Sequence, residues 1–153
     1  LSPTQFHNSV HNTTAGYWSI LNHCQAPATA IAAADDTFAM GLIEAWSQLQ
    51  QHQGEQLLVC YDECWPQYLA PPLGKVAFAC AFVLSTDSAQ SLAEITVPSL
   101  ANTAINLDKK WQAVAQSAPA ATAIPLLQAL QNKSLGQISL NINSPIWVTE
   151  RIA

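Results

Sequence analysis

The residues able to do chemistry are few, and their spacing excludes most of the usual schemes. The chain of 153 residues holds four cysteines, four histidines and ten Asp and Glu. Cys60-x₃-Cys64 has the form of half a metal site, but no second Cys or His pair stands at zinc spacing, so no metal is expected. Cys60 and Cys80 sit inside the apolar runs LLVCY and VAFACAF, where cysteine packs as a small hydrophobe. Cys64, next to Asp62 and Glu63, has its thiolate disfavoured rather than activated. His7 and His11 are four apart and would share a face if that segment were helical. His23-Cys24 puts a base beside a thiol, yet neighbours on a helix point apart. No G-x-S-x-G elbow, P-loop, G-x-G-x-x-G or H-E-x-x-H occurs, and no cofactor is expected.

One junction stands out. In "ATAIAAADDTFAMGLIEAWSQL", residues 28–49, small residues lead into two adjacent carboxylates, Asp35 and Asp36, before a helical pattern. Phe38, Leu42, Trp46 and Leu49 recur at i, i+4, i+8 and i+11, with Ile43 and Ala45 widening the stripe. An aspartate at the N-cap would satisfy open backbone N–H groups and suit the positive end of the helix. That accounts for one aspartate and leaves the second unexplained.

The elements that must position this junction follow from periodicity and punctuation. Residues 1–15 read as a loop feeding a short helix over Thr13–Asn22. Pro27 opens a small-residue strand, Ala28–Ala32, and the chain turns at Ala33–Asp36. Gly54 ends the helix that starts at Thr37. Gln56–Tyr61 and Lys75–Leu84 are apolar strands of the buried type, separated by a proline-rich surface loop from Asp62 to Gly74. Helices follow at Asp108–Ser117 and Pro125–Gln131, then two alternating strands, Gln137–Ile142 and Ile146–Ile152. The order β-α-β-β, two helices, β-β makes an α/β or α+β layer in one domain over residues 1–153.

Composition narrows the partners. Apolar residues make up 50% and charged residues 10%, against a usual charged share of about 25%. Either a protein partner covers much of the surface, or Gln, Asn, Ser and Thr keep it wet. A net charge of −5 with five Lys and Arg excludes a nucleic-acid binder. No run reaches the ~18 apolar residues of a membrane span, and no secretory signal is visible. Sparse cysteines fit a reduced, cytoplasmic setting.

The run from Ser9 to Glu63 resembles the N-terminal half of β-ketoacyl synthases, condensing enzymes of the thiolase-like fold. Asn12 and Ala15-Gly16 stand where that family opens a helix, Gly41 where its buried helix carries a glycine, and Leu57–Glu63 where a strand ends in an acidic residue. The resemblance implies an α/β thiolase-like half, a mixed sheet packed with helices around one buried central helix, lacking the family's first N-terminal section. Anchored on Gly41, it places Ala33 at the nucleophilic cysteine and puts Ala34, Asp35 and Asp36 in the degenerate turn after it. A thiolate is then missing, and two carboxylates at the helix mouth would repel an oxyanion. The family's catalytic histidines belong to a second half that this chain does not include.

More closely, the chain is similar to short ketosynthase-like proteins known as chain length factors, found in bacterial clusters for aryl polyene and related polyketide or fatty-acyl products. The resemblance implies a non-catalytic partner of an active β-ketoacyl synthase, with an acyl carrier protein as a further partner. It also implies that the strand Pro27, Ala28, Thr29, Ala30, Ile31 and Ala32 pairs across a pseudo-twofold axis in the heterodimer. Two other functions stay open on sequence: a divergent acyl-thioester enzyme using His7, His11 or Asp35 and Asp36 as acid–base groups, and a self-associating homodimeric scaffold without an acyl ligand.

Overall fold

A computed structural model of the chain describes residues 2–64, 66, 68, 76–96, 107–134, 136–140 and 145–149. The chain forms two compact units, Leu1–Ala32 and Ala33–Ala153. The first holds two helices, α1 over Pro3–His7 and α2 over Thr13–Leu21. α1 lies in a stretch expected as loop. Its start is fixed by a reciprocal capping box: Ser2 Oγ accepts from the Gln5 N–H at 3.2 Å, and Gln5 Oε1 accepts from the Ser2 N–H at 3.0 Å. α2 matches the expected helix closely. It stops at His23, whose φ of 51° is left-handed, and the Cys24 N–H folds back to the Ser19 carbonyl at 2.9 Å.

Residues 27–32 belong to neither sheet of the chain, so the expected strand Ala28–Ala32 is absent from the described structure. A strand exists only with a ladder neighbour, and none of the described strands provides one. No described residue of this first unit is buried.

The second unit is built on α3, Thr37–Gln51, which follows a 3₁₀ turn over Ala34–Asp36. Phe38, Ala39, Gly41, Leu42, Ala45 and Leu49 form its buried stripe. Trp46, expected in that stripe, is half-buried, and Ala45 takes the inner place. Gly54, at a φ of 134°, turns the chain into β1, Glu55–Asp62. β1 pairs antiparallel with β2, Phe78–Ser85, along its whole length, from Glu55 opposite Ser85 to Asp62 opposite Phe78.

Leu58, Cys60, Cys80, Phe82 and Leu84 face α3 and join its core cluster. Strands of the buried type were expected here, covered on both faces. The ladder instead alternates: Leu57, Val59 and Val83 stand on the other face, 52%, 53% and 67% exposed. α3 lies close on β1 because Gly41 has no side chain; a Cβ there would meet Leu58 Cδ1 at 3.1 Å.

A second antiparallel sheet has the order β3-β5-β4, with β3 Glu94–Ile95, β4 Gly136–Ser139 and β5 Pro145–Thr149. Helices α4, Lys109–Ala115, and α5, Ile124–Asn132, agree with the two expected helices. Between them runs a 3₁₀ helix, Pro119–Ala123, whose Ala120, Ala121 and Ala123 are buried. Most of the expected loop from Asp62 to Gly74, the turn at Asn143-Ser144 and the ends of the last two expected strands fall outside the described residues. Phe38, Leu126 and Leu140 are the largest fully buried side chains, so α3 and α5 share one core. The architecture is α/β, with antiparallel pairing in both described sheets. No helix among the described residues is long and apolar enough to cross a membrane.

A polar contact ties β1 to the 3₁₀ helix. Asp62 Oδ2, at the end of β1, accepts the Ala120 N–H at 2.6 Å. The first N–H groups of a helical segment have no partner within it, and this carboxylate supplies one from 58 positions away in the chain. Asp62→Ala is expected to cost about 1–3 kcal/mol in urea unfolding, with Asp62→Asn costing less because the amide oxygen still accepts. An Asp62→Ala protein as stable as the parent would show that the contact contributes nothing.

Candidate functional site

The turn that leads into α3 is the site singled out by sequence, and its backbone is unusual. Ala34 has a φ of 48°, in the left-handed region that costs an L-residue with a Cβ about 1–2 kcal/mol. Local hydrogen bonds hold it there. The Thr37 hydroxyl accepts from the Ala33 N–H at 2.9 Å and donates to the Ala34 carbonyl at 2.7 Å. The Asp36 N–H bonds the Ala33 carbonyl at 3.0 Å, and the Thr37 N–H bonds the Ala34 carbonyl.

These bonds also explain why the expected aspartate cap is missing. Asp36 occupies the N-cap position of α3 but makes no side-chain capping bond. Its φ of −95° and ψ of 9° are not the extended geometry of a capping residue. The 3₁₀ turn already takes up the early N–H groups through i→i+3 bonds. Asp35 and Asp36 remain as negative charge at the positive end of the helix, a favourable placement for α3.

The four residues of the turn, Ala33–Asp36, offer two carboxylates and neither a thiol nor a hydroxyl. Ala33 and Ala34 carry no reactive group, and the Thr37 hydroxyl at the start of α3 both accepts and donates within the turn. His7 is the last residue of α1, and His11 lies beyond it, so the two share no helix face. The His7 ring packs edge-on against Tyr17 at 5.8 Å. His23 and Cys24 form the stop of α2. Glu44 accepts from Gln48 Nε2 at 2.7 Å on the side of α3. Among the described residues, no three His, Cys, Asp or Glu gather where a metal could sit.

Two pairings escaped the sequence. Asp62 reaches Ala120, and Cys60 stands directly opposite Cys80 on the inner face of the β1–β2 ladder. Cys60 is 6% exposed, and Cys64 lies exposed beyond the strand end. Burial pushes the Cys60 thiol up to about 12, with Cys80 and Asp62 adding to the rise, and burial pushes Cys80 up to about 11. Both stay protonated at neutral pH. Strand register decides such partners, and residues 20 apart in a sequence do not disclose it.

The model of the β-ketoacyl synthase N-terminal domain matches residues 1–148, and the chain belongs to that family. Among solved structures it is similar to a chain of the ketosynthase ApeO in complex with its chain length factor ApeC from Xenorhabdus doucetiae. The likeness has a TM-score of 0.67 at 18% identity and covers 98% of this chain and 58% of that one. The chain therefore has the thiolase-like ketosynthase fold and spans under two thirds of that relative's length. Among curated protein sequences, none matches it.

Two expectations follow. Ala34→Gly relieves the left-handed strain and should raise stability by about 0.5–1 kcal/mol in urea unfolding, where glycine elsewhere in such a turn would lower it. A raised thiol pKa stabilises the fold below the unfolded value of 9.0 and is lost as pH climbs through the folded value near 12. The urea midpoint should thus fall from about pH 8 to about pH 10.5, with a limiting slope of about 1.4 kcal/mol per pH unit from Cys60. Cys60→Ala should flatten that fall.

Proposed function

We propose that this chain is a non-catalytic chain length factor that pairs with an active β-ketoacyl synthase. The setting is the bacterial cytoplasm and the pathway type is aryl polyene, polyketide or fatty-acyl biosynthesis. The observation that carries the reading is the turn at Ala33–Asp36. It keeps a strained entry into a buried helix, while alanine stands at the place the family gives to its nucleophile and two carboxylates crowd the helix mouth. A group that takes an acyl chain as a thioester is missing from that turn, and negative charge there opposes the oxyanion of a condensation. The chain would shape or measure an acyl product made by its partner, which receives its acyl groups from an acyl carrier protein.

The first unit supports a partner. Asp35 is the first Asp, Glu, Lys or Arg in the sequence, so residues 1–34 carry no such charge. None of the described residues among them is buried. Pro27, Ala28, Thr29, Ala30 and Ala32 are exposed, and Ile31 is half-buried. Small uncharged residues suit close strand pairing with a second subunit.

Co-expression with an active ketosynthase from the same genome, followed by size-exclusion chromatography with mass determination, is the test. A stable one-to-one complex is expected. Thr29→Glu or Ile31→Lys should abolish it while each variant elutes alone as folded protein. A homodimer that ignores the ketosynthase, or a complex indifferent to both changes, would sink the proposal.

A further inference from the structure

The Cys60–Cys80 pair is unused by the function above. The two residues are directly opposed in the β1–β2 register, and both lie on the face that packs against α3. The Thr86 N–H bonds the Gly54 carbonyl at 3.2 Å, which marks that opposed pair as one of the hydrogen-bonded type. Such pairs alternate along an antiparallel ladder, so counting in twos from residue 54 makes 60 and 80 another. Their Cα atoms are then about 5.5 Å apart, inside the range that a disulfide spans. Neither residue is in a disulfide.

We propose that Cys60 and Cys80 form a reversible cross-strand disulfide, a modification site that peroxide closes and small thiols reopen, locking β1 to β2 beneath α3. The half-buried Cys80 is the entry point. Its thiolate attacks one oxygen of hydrogen peroxide, giving a sulfenic acid and hydroxide. The Cys60 thiolate then attacks Cys80 Sγ and displaces a second hydroxide. The two thiol protons convert both hydroxides to water, so two thiols and one peroxide become one disulfide and two waters.

Opposed Cβ atoms in a ladder are about 4.5–5.5 Å apart, whereas a relaxed disulfide holds them at about 3.5–4.5 Å. Closing the bond therefore pulls the strands together, and a bond formed under strain is readily reduced. Burial keeps both thiols protonated and makes closure slow, so the pair responds to sustained peroxide rather than to a brief pulse. A closed bond would also tether the long β1–β2 connection at its base.

The test uses the full reduced chain and hydrogen peroxide at a dose that oxidises the exposed Cys64. After alkylation and peptic digestion, mass spectrometry should find the Cys60 and Cys80 peptides joined and lighter by two hydrogens, and dithiothreitol should separate them. The Cys24→Ser, Cys64→Ser double variant, altered away from the pair, should give the same link. Refolding the urea-unfolded double variant in a glutathione redox buffer reads the same pairing at equilibrium, free of the burial barrier. Links from Cys60 or Cys80 to Cys64 or Cys24, or oxidised Cys64 with Cys60 and Cys80 still thiols, would overturn the proposal. So would a refolded double variant that stays fully reduced while the buffer oxidises a dithiol peptide.

Discussion

Burial of α3 against the inner face of the β1–β2 ladder is the constraint on which the second unit depends. Phe38 is fully buried and sits 5.4 Å from the Phe82 ring, and Leu42 lies beside it in the same cluster. Each such side chain contributes about 1.5–3 kcal/mol on leaving water. The close approach needs Gly41, where a Cβ would press on Leu58. With the axis of α3 fixed by this contact, the start of the helix is fixed too, and with it the turn from Ala33 to Asp36. The same ladder carries Asp62 to the N–H of Ala120, so the 3₁₀ helix and α5 are placed from β1 as well.

What was legible in the sequence was what local order decides. The stripe from Phe38 to Leu49 and the helices 109–115 and 124–132 declare themselves through spacing. Their ends shift only by a residue or two. α1 escaped because five residues give no periodicity, although the Ser2–Gln5 box that starts it was present to be read. The strand expected at Ala28–Ala32 shows the opposite failure. Small uncharged residues permit a strand, but a ladder neighbour makes one, and no property of residues 28–32 alone supplies it. β1 was misjudged in its burial for a related reason. QLLVCY is apolar at consecutive positions, so composition suggested cover on both sides, while the pleat sends only every second side chain to α3.

The candidate site divides along the same line. That Ala33, Ala34, Asp35 and Asp36 precede a buried helix could be read from the chain, because a helix start is a local event. That Ala34 is left-handed, and that Thr37 rather than Asp36 closes the helix entry, could not. Those depend on a 3₁₀ turn whose carbonyls compete for the N–H groups a cap would take. Cys60–Cys80 and Asp62–Ala120 lie further from view still, since both are consequences of register.

The turn from Ala33 to Asp36 joins a left-handed alanine to the start of a buried helix. Positive φ at a non-glycine residue persists only where surroundings over-determine it. Here they do so through one threonine hydroxyl and the seating of α3. The backbone shape is therefore a property of the fold around the turn. The field at the helix mouth is not so neutral. The same partial positive charge that would steady a thiolate or an oxyanion is met by Asp35 and Asp36, carboxylates of the chain itself. On the proposed reading, replacing the nucleophile with alanine removes the reaction, and the two aspartates go further by turning an anion-accepting helix end into one that anions avoid.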